Sequence, residues 1–295
     1  MKDDCRFGHL AQRLFNTPLA IHPGKAEVII GALADRLQLT SIETSLGTIR
    51  ASGAWDKEDF DEEGETYSEP GYEVELGIAK IDIADTLVMK LGGLRPFSGM
   101  TGYDGIRQNM IAAARDPLVK AIMMDVDSPG GEVSGLFDLA DTISTIDKKV
   151  KPVFAVLTES AYSAGYCLAC AARRIYVPRT GGAGSIGVVA MHVDLSKAIE
   201  RAGLKVTFLY DGDRKIDGAP EIPLSDEAYQ RAMKDITTIS GMFRSTVSQN
   251  RGLSVEKIRD MQAGTFLGAD GVTAGLADEV IAPADAFQDI LDRVG

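Results

Sequence analysis

Pro152-Val-Phe-Ala-Val-Leu-Thr158 is followed almost at once by Ser160-Ala-Tyr-Ser-Ala-Gly-Tyr-Cys-Leu-Ala-Cys170, and the junction between them decides the fold. The β-branched and aromatic residues of the first piece predict a buried strand, and the small residues of Cys167-Leu-Ala-Cys-Ala-Ala172 predict a helix. Ser163 then stands at a strand-to-helix turn. A hydroxyl there lies beside backbone N–H groups that the helix cannot pair and at the positive end of its dipole. Both favour negative charge near the oxygen, which suits a nucleophile, but the same position is the commonest one for a serine N-cap. This stretch alone leaves both readings open. Ala161, Ala164 and Gly165 are small enough to let a substrate backbone approach.

The same alternation extends on both sides. Glu73–Ile83 predicts a strand, Ile106–Arg115 a helix, Lys120–Val126 a buried strand and Ser134–Asp147 a helix. Beyond Ser163, Arg174–Val177, Ile186–Met191 and Lys205–Tyr210 read as strands, with a helix over Asp194–Ala202. Strands separated by helices imply βαβ units and a largely parallel sheet covered on both faces, an α/β domain. Ser225–Gln249 reads as a long helix opened by a serine cap, and Val255–Gln262 as a shorter one. Before Tyr72 the pattern differs. Residues 1–55 read as a helical N-terminal region, clearest over Pro23–Leu37, and residues 56–71 as an acidic linker. Residues 72–285 form the α/β domain and 286–295 a C-terminal tail.

The net charge of -12 argues against a nucleic-acid binder, which would carry a basic patch. Half of that charge sits in Asp56–Glu65, where seven acids accompany one lysine. Dense like charge cannot be buried, so the run reads as a solvated spacer. No apolar run has the length of a membrane span and the N-terminus has no secretory pattern, so a cytoplasmic protein is expected. Three cysteines make no disulfide framework.

Chemistry is sought at strand ends, where open α/β sheets bind ligands. Asp127-Ser-Pro-Gly-Gly-Glu132 reads as a loop there; Gly130 and Gly131 would let a substrate approach and aim N–H groups at an oxyanion, or would simply make a tight turn. Gly182-x-Gly184-x-x-Gly187 has dinucleotide spacing, but the β-branched run after it predicts a strand where that fingerprint needs a helix. It reads better as a tight entry presenting the Ser185 hydroxyl. A serine nucleophile needs a base. His9 and His22 precede the acidic linker, outside the α/β core, and His192 closes an apolar strand. The remaining base is a lysine kept neutral by burial, and the candidate is Lys215, just after the strand ending at Tyr210, although most lysines are solvated surface residues. Cys167 and Cys170 have CxxC spacing, yet one such pair reads as buried packing before metal or redox chemistry.

Taken together, Asp127–Glu132, Ala161–Tyr166, Thr180–Val188 and Gly212–Pro220, in this order and spacing, resemble the S49 peptidases, the family of signal peptide peptidase A. The resemblance covers roughly residues 72 to 285. Leu14–Leu19 and Pro96–Tyr103 narrow it to the branch of phage head-maturation and capsid assembly proteases. The resemblance implies a ClpP/crotonase-like fold and a Ser-Lys dyad without cofactor or metal. Ser163 would be the nucleophile, Lys215 the base and Ser185 the hydroxyl that orients the lysine. Backbone N–H groups of Gly130, Gly131 and Ala164 would form the oxyanion hole. Tyr162 and Ala164 depart from the commoner Ala-Ser-Gly-Gly pattern, which puts the first substrate pocket in question.

The resemblance also implies protein substrates such as scaffold, portal or capsid proteins, and a homo-oligomer that restricts access. The location would be the bacterial host cytoplasm or a phage prohead. Two other readings remain at this stage: a crotonase-type acyl-CoA enzyme on a similar sheet, and a capsid assembly factor without catalytic activity.

Overall fold

The computed structural model describes residues 17–22, 25, 42–44, 47–49, 71–96 and 99–295. The helix expected over Pro23–Leu37 and the acidic linker therefore lie outside the described residues, apart from Lys25 and Gly71. In chain order the elements begin with β1 (Leu19–Ile21), β2 (Ile42–Thr44), β3 (Gly47–Ile49), β4 (Glu73–Glu75), β5 (Ile78–Val88) and β6 (Met100–Gly102). They continue with α1 (Tyr103–Arg115), β7 (Ala121–Glu132), α2 (Leu136–Lys149), β8 (Val153–Tyr162), α3 (Ala164–Ala169), β9 (Arg174–Val177) and β10 (Gly182–Gly184). The last are α4 (Ser196–Arg201), a 3-10 turn (Asp213–Ile216), α5 (Asp226–Arg251), α6 (Val255–Asp260), β11 (Thr265–Leu267), α7 (Gly268–Ala274), β12 (Glu279–Val280) and α8 (Pro283–Val294). Inside the region expected to be helical, β2 and β3 form an antiparallel pair.

Two compact units share the chain. The larger comprises Ala20–Gly187 and Phe243–Gly295, the smaller Met1–Leu19 and Val188–Met242. In the larger unit the sheet runs β11-β10-β8-β7-β5-β4, with β9 beside β8, β12 beside β9, β6 beside β5 and β1 beside β7. The pairs β5·β7, β7·β8 and β8·β10 are parallel, as βαβ units require. Ala121, Ile122, Met123, Met124 and Val126 on β7 are buried, the near-continuous apolar run of a strand covered on both faces. α1 packs on β5 and α2, α2 on α3, and α3 on β7 and β8. The opposite face of the sheet presents Ile78, Met123, Phe154, Val156 and Tyr176 to Ala286 and Ile290 of α8.

Residues 286–295 are thus mostly α8, whose inner face joins that apolar cluster. Burial and a hydrogen bond to Asp289 (2.5 Å) push the Tyr176 hydroxyl up to about 12, so it stays a donor that holds the helix down. Ile290 is fully buried, and Ile290→Ala is expected to cost about 2–5 kcal/mol, measurable by denaturant unfolding.

Several expected strands differ. Glu73–Ile83 is two strands, because Leu76 and Gly77 take positive φ (51° and 85°) and close a two-residue hairpin between β4 and β5. β7 continues through Asp127–Glu132, so the predicted loop is strand. Ile186–Met191 makes only an isolated bridge between Val189 and Leu19. Among the described residues Lys205–Tyr210 has no strand partner, and it is mostly exposed, with Leu209 95% accessible. Apolar, β-branched content predicts a strand, but a strand also needs a neighbour to pair with. Among the described residues the other expected helices hold with small shifts, and Ser225 does cap α5: its hydroxyl accepts from the Ala228 N–H at 3.1 Å.

One ion pair ties α5 to the sheet. The guanidinium of Arg251 donates to Asp278 at 2.8 and 3.0 Å, and the Ile175 N–H donates to the same carboxylate at 2.7 Å. Burial alone would raise the Asp278 carboxyl, but these hydrogen bonds and the arginine charge hold it below its usual value. A lowered carboxyl contributes stability above its unfolded value and loses it as pH falls through the folded one. Arg251→Met is expected to cost about 3 kcal/mol near neutral pH. It should also flatten the loss of stability that the parent chain shows below about pH 4; chemical denaturation across pH measures both.

Candidate active site

β8 leads directly to Ser163. Its residues Val153–Leu157 are buried, and near its end Tyr162 is in register with Gly184 of β10. The Ser163 N–H donates to the Gly184 carbonyl at 2.8 Å and its own carbonyl accepts from Cys167 N–H at 2.9 Å. Between those two bonds the chain must turn from strand to helix within one residue. It does so at φ 53°, ψ -117°, a conformation that costs a side-chain-bearing residue about 1–3 kcal/mol. Ser163 is 1% exposed, and its Oγ is buried with no hydrogen-bond partner among the described residues. It makes no side-chain cap to α3. The N-cap reading therefore fails on geometry: the hydroxyl does not serve the helix.

Ser185 stands across from it. It follows Gly184 as Ser163 follows Tyr162, it also has positive φ (55°), and it is 5% exposed. Its N–H is held by the Gly264 carbonyl at 2.9 Å. Two serines at matching positions of adjacent parallel strands thus turn out of the sheet together. The segment Gly182–Gly184 is itself the strand, and no helix follows it, so the dinucleotide reading has no structural support among the described residues.

The glycine pair has divided duties. Gly130 has φ 108°, and a β-carbon there would come 2.9 Å from the Ser163 Cβ and would strike the Ala20 carbonyl oxygen. It is the point where β7 touches the Ser163 turn. Gly131 instead lies against the backbone of Leu87 on β5, where any side chain would collide; its smallness serves strand packing. Gly165 packs on Ser128, whose β-carbon would be 3.0 Å from a methyl there, so it seats α3 on β7. Ala164, fully buried, opens α3 directly after Ser163, and its N–H belongs to the first turn that a helix cannot pair.

Ser128 and Asp85 are positioning residues that motif reading passes over. The Ser128 hydroxyl donates to the Asp85 carbonyl at 2.6 Å and accepts from the Gly130 N–H at 3.2 Å. Asp85 has φ 60° and marks a register shift between β5 and β7, with a second shift between Val126 and Ser128 against β8. Paired irregularities of this kind re-aim a strand locally. Only a bulge in a neighbouring strand makes Ser128 informative, and no local pattern announces that. His22, set outside the α/β core by its position in the sequence, lies in it: its N–H donates to the Pro129 carbonyl at 2.7 Å and its ring stands 5.2 Å from that of Tyr162.

Lys215 belongs to the smaller unit. It lies on the 3-10 turn Asp213–Ile216, exposed in the single chain, with its N–H bonded to the Gly212 carbonyl at 3.0 Å. In the same unit Arg231 clamps Asp217, just past that turn, at 2.6 and 2.7 Å. The larger unit thus brings Ser163, Ser185, Gly130 and Ala164 together, while Lys215 belongs to the smaller unit. Cys167 and Cys170 are buried, and burial pushes the first thiol well above its usual value and the second up to about 12. Burial thus disfavours the reactive thiolate form of both.

A family model described as peptidase family S49 matches residues 145–294, slightly more than half of the chain. The chain belongs to peptidase family S49. The matched span takes in Ser163, Ala164, Ser185 and Lys215 but stops short of Gly130 and of β1. Relatives include the capsid assembly protease C of Escherichia phage lambda, 37% identical over 97% of this chain and 66% of that protein. Another is the head-tail preconnector protein GP5 of Enterobacteria phage P21, 37% identical over 95% of this chain and 56% of that protein. The chain thus spans less than two thirds of either. More distant is the chloroplastic serine protease SPPA of Arabidopsis thaliana, 31% identical over 55% of this chain and 24% of that protein. Solved structures that align include an enoyl-CoA hydratase/isomerase (crotonase) from Legionella pneumophila, with a TM-score of 0.44 and 13% identity over 76% of this chain and 73% of that one. A ClpP1 variant from Listeria monocytogenes aligns with a TM-score of 0.42 and 14% identity over 68% and 90%. Among the described residues no helix is long and apolar enough to cross a membrane.

Proposed function

We propose that this S49 family member is a serine endopeptidase in which Ser163 is the nucleophile and Lys215 the base, acting on head proteins during phage capsid maturation. The observation that carries this is the state of Ser163: strained, buried and without a hydrogen-bond partner among the described residues, against Gly130 and at the strand position that matches Ser185. A hydroxyl used only for structure would be bonded. In the reaction the Ser163 Oγ bonds to the substrate carbonyl carbon as its proton passes to the neutral amine of Lys215, with Ser185 orienting that amine. The carbonyl oxygen becomes an oxyanion stabilised by the N–H groups of Ala164 and of the Gly130-Gly131 segment, the Gly130 N–H turning from the Ser128 hydroxyl to do so. Collapse breaks the peptide C–N bond, the proton goes to the leaving amine, and water then hydrolyses the acyl-enzyme.

Lys215 is exposed in the single chain, whereas a lysine base works dehydrated. The active form is therefore an assembly of several copies that covers the 3-10 turn, which also restricts access to the site. Substrates are flexible segments of scaffold, portal or capsid proteins; the phage relatives, one named as a capsid assembly protease and the other as a head-tail preconnector, support that class. The test is labelling by a serine-directed fluorophosphonate, expected in the parent chain and lost in Ser163→Ala. A folded parent chain that never labels would favour an assembly factor without catalytic activity.

A further inference from the structure

At its far end β7 loses one neighbour. Its last pair with β8 is Ser128 with Ala161, because β8 must leave the sheet to turn at Ser163. On the other side β5 stays paired, Thr86 with Gly130 and Leu87 with Gly131. This leaves a strand with free backbone groups beside the nucleophile, the arrangement on which an extended peptide binds by adding a strand. The chain itself takes that place. β1 pairs with β7, and the His22 N–H donates to the Pro129 carbonyl at 2.7 Å. The Ala20 carbonyl oxygen and the Ile21 Cα lie against Gly130, the residue that also touches the Ser163 Cβ. Ala20 is fully buried and Ile21 nearly so. His22 stacks at a tilt on Tyr162, the residue before the nucleophile.

We propose that the Pro129–Gly130 side of β7 is the edge that binds an extended peptide substrate, and that the chain's own Ala20–His22 occupies it in the free protein. This rests on the peptidase reading of Ser163. The occupied edge also describes its replacement: an unfolded segment whose extended backbone passes Gly130 as Ala20 and Ile21 do. The seated strand is not in a cleavable pose. The Ala20 carbonyl rests on the α-carbon side of Gly130, while the Gly130 N–H points to the Ser128 hydroxyl at 3.2 Å. Entry of a substrate must lift β1 away and turn that N–H toward the carbonyl being attacked.

The experiment compares fluorophosphonate labelling of the full-length parent chain with that of Ala20→Glu. A carboxylate at a fully buried position cannot remain there unpaired, so the strand leaves the edge. The variant is expected to label about tenfold faster or more, and a synthetic peptide of residues 17–22 should slow it again. Equal labelling rates in two folded proteins would overturn the proposal and leave the peptidase reading intact. Absence of labelling in both would instead sink the peptidase reading and this proposal with it. Should Ala20→Glu fail to fold, hydrogen exchange on the parent chain decides: the His22 amide must lose protection when Ser163 is labelled by a peptidyl fluorophosphonate. Unchanged protection would refute the proposal.

Discussion

Ser163→Ala is expected to lower kcat for peptide hydrolysis by about four orders of magnitude or more, while the protein keeps or slightly gains stability. The two halves of that expectation have one cause. Oγ is buried without a partner among the described residues, so it carries a desolvation penalty that nothing in the folded chain offsets, about 1–3 kcal/mol for such a group. Removing it abolishes the nucleophile and relieves the penalty together. Alanine retains the backbone strain, since it tolerates φ 53° no better than serine does. Ser163→Gly should therefore be more stable than Ser163→Ala, by up to about 1 kcal/mol, and equally inactive. A serine kept for structure would give the opposite result, with both variants losing stability and neither losing a fluorophosphonate adduct. Thermal unfolding and intact mass after labelling separate the two outcomes.

Lys215→Arg is expected to reduce kcat by about 10²- to 10⁴-fold, the usual contribution of a positioned base. The variant keeps the charge but not the function, because a guanidinium does not give up its proton at working pH and so cannot accept one. Lys215 is exposed in the single chain, so the folding free energy of one copy should move by no more than about 0.5 kcal/mol. Loss of activity with unchanged unfolding is the signature sought. Combining Lys215→Arg with Ser163→Ala should be no worse than Ser163→Ala alone, since residues that act as a unit are not additive. An arginine variant with full kcat would remove Lys215 from the chemistry and leave Ser163 without an assigned base.

How much of this was legible in the sequence differs from element to element. Local chemistry marked β8, β9, α1, α2 and α5, where one apolar pattern and one set of end signals agree. It also marked Ser163 and Ser185, each in a short run of small residues that permits a tight turn. It misplaced Lys205–Tyr210 and Ile186–Met191, where strand-like content has almost no ladder to join among the described residues. It split Gly130 from Gly131 not at all, although one meets the Ser163 turn and the other only Leu87.

What the residues determine by themselves is periodicity, turn chemistry and the stock of reactive groups, because these depend on neighbours within a few positions along the chain. The α/β alternation and the candidate serine follow from that. What only tertiary structure decided is adjacency between distant segments. Ser128 matters because a bulge at Asp85 offers it a carbonyl, and Ala20–His22 matter because β8 leaves β7 unpaired where it turns. Neither consequence is written in any window of the sequence: a backbone donor or acceptor shows no preference for its partner until the sheet brings that partner within about 3 Å.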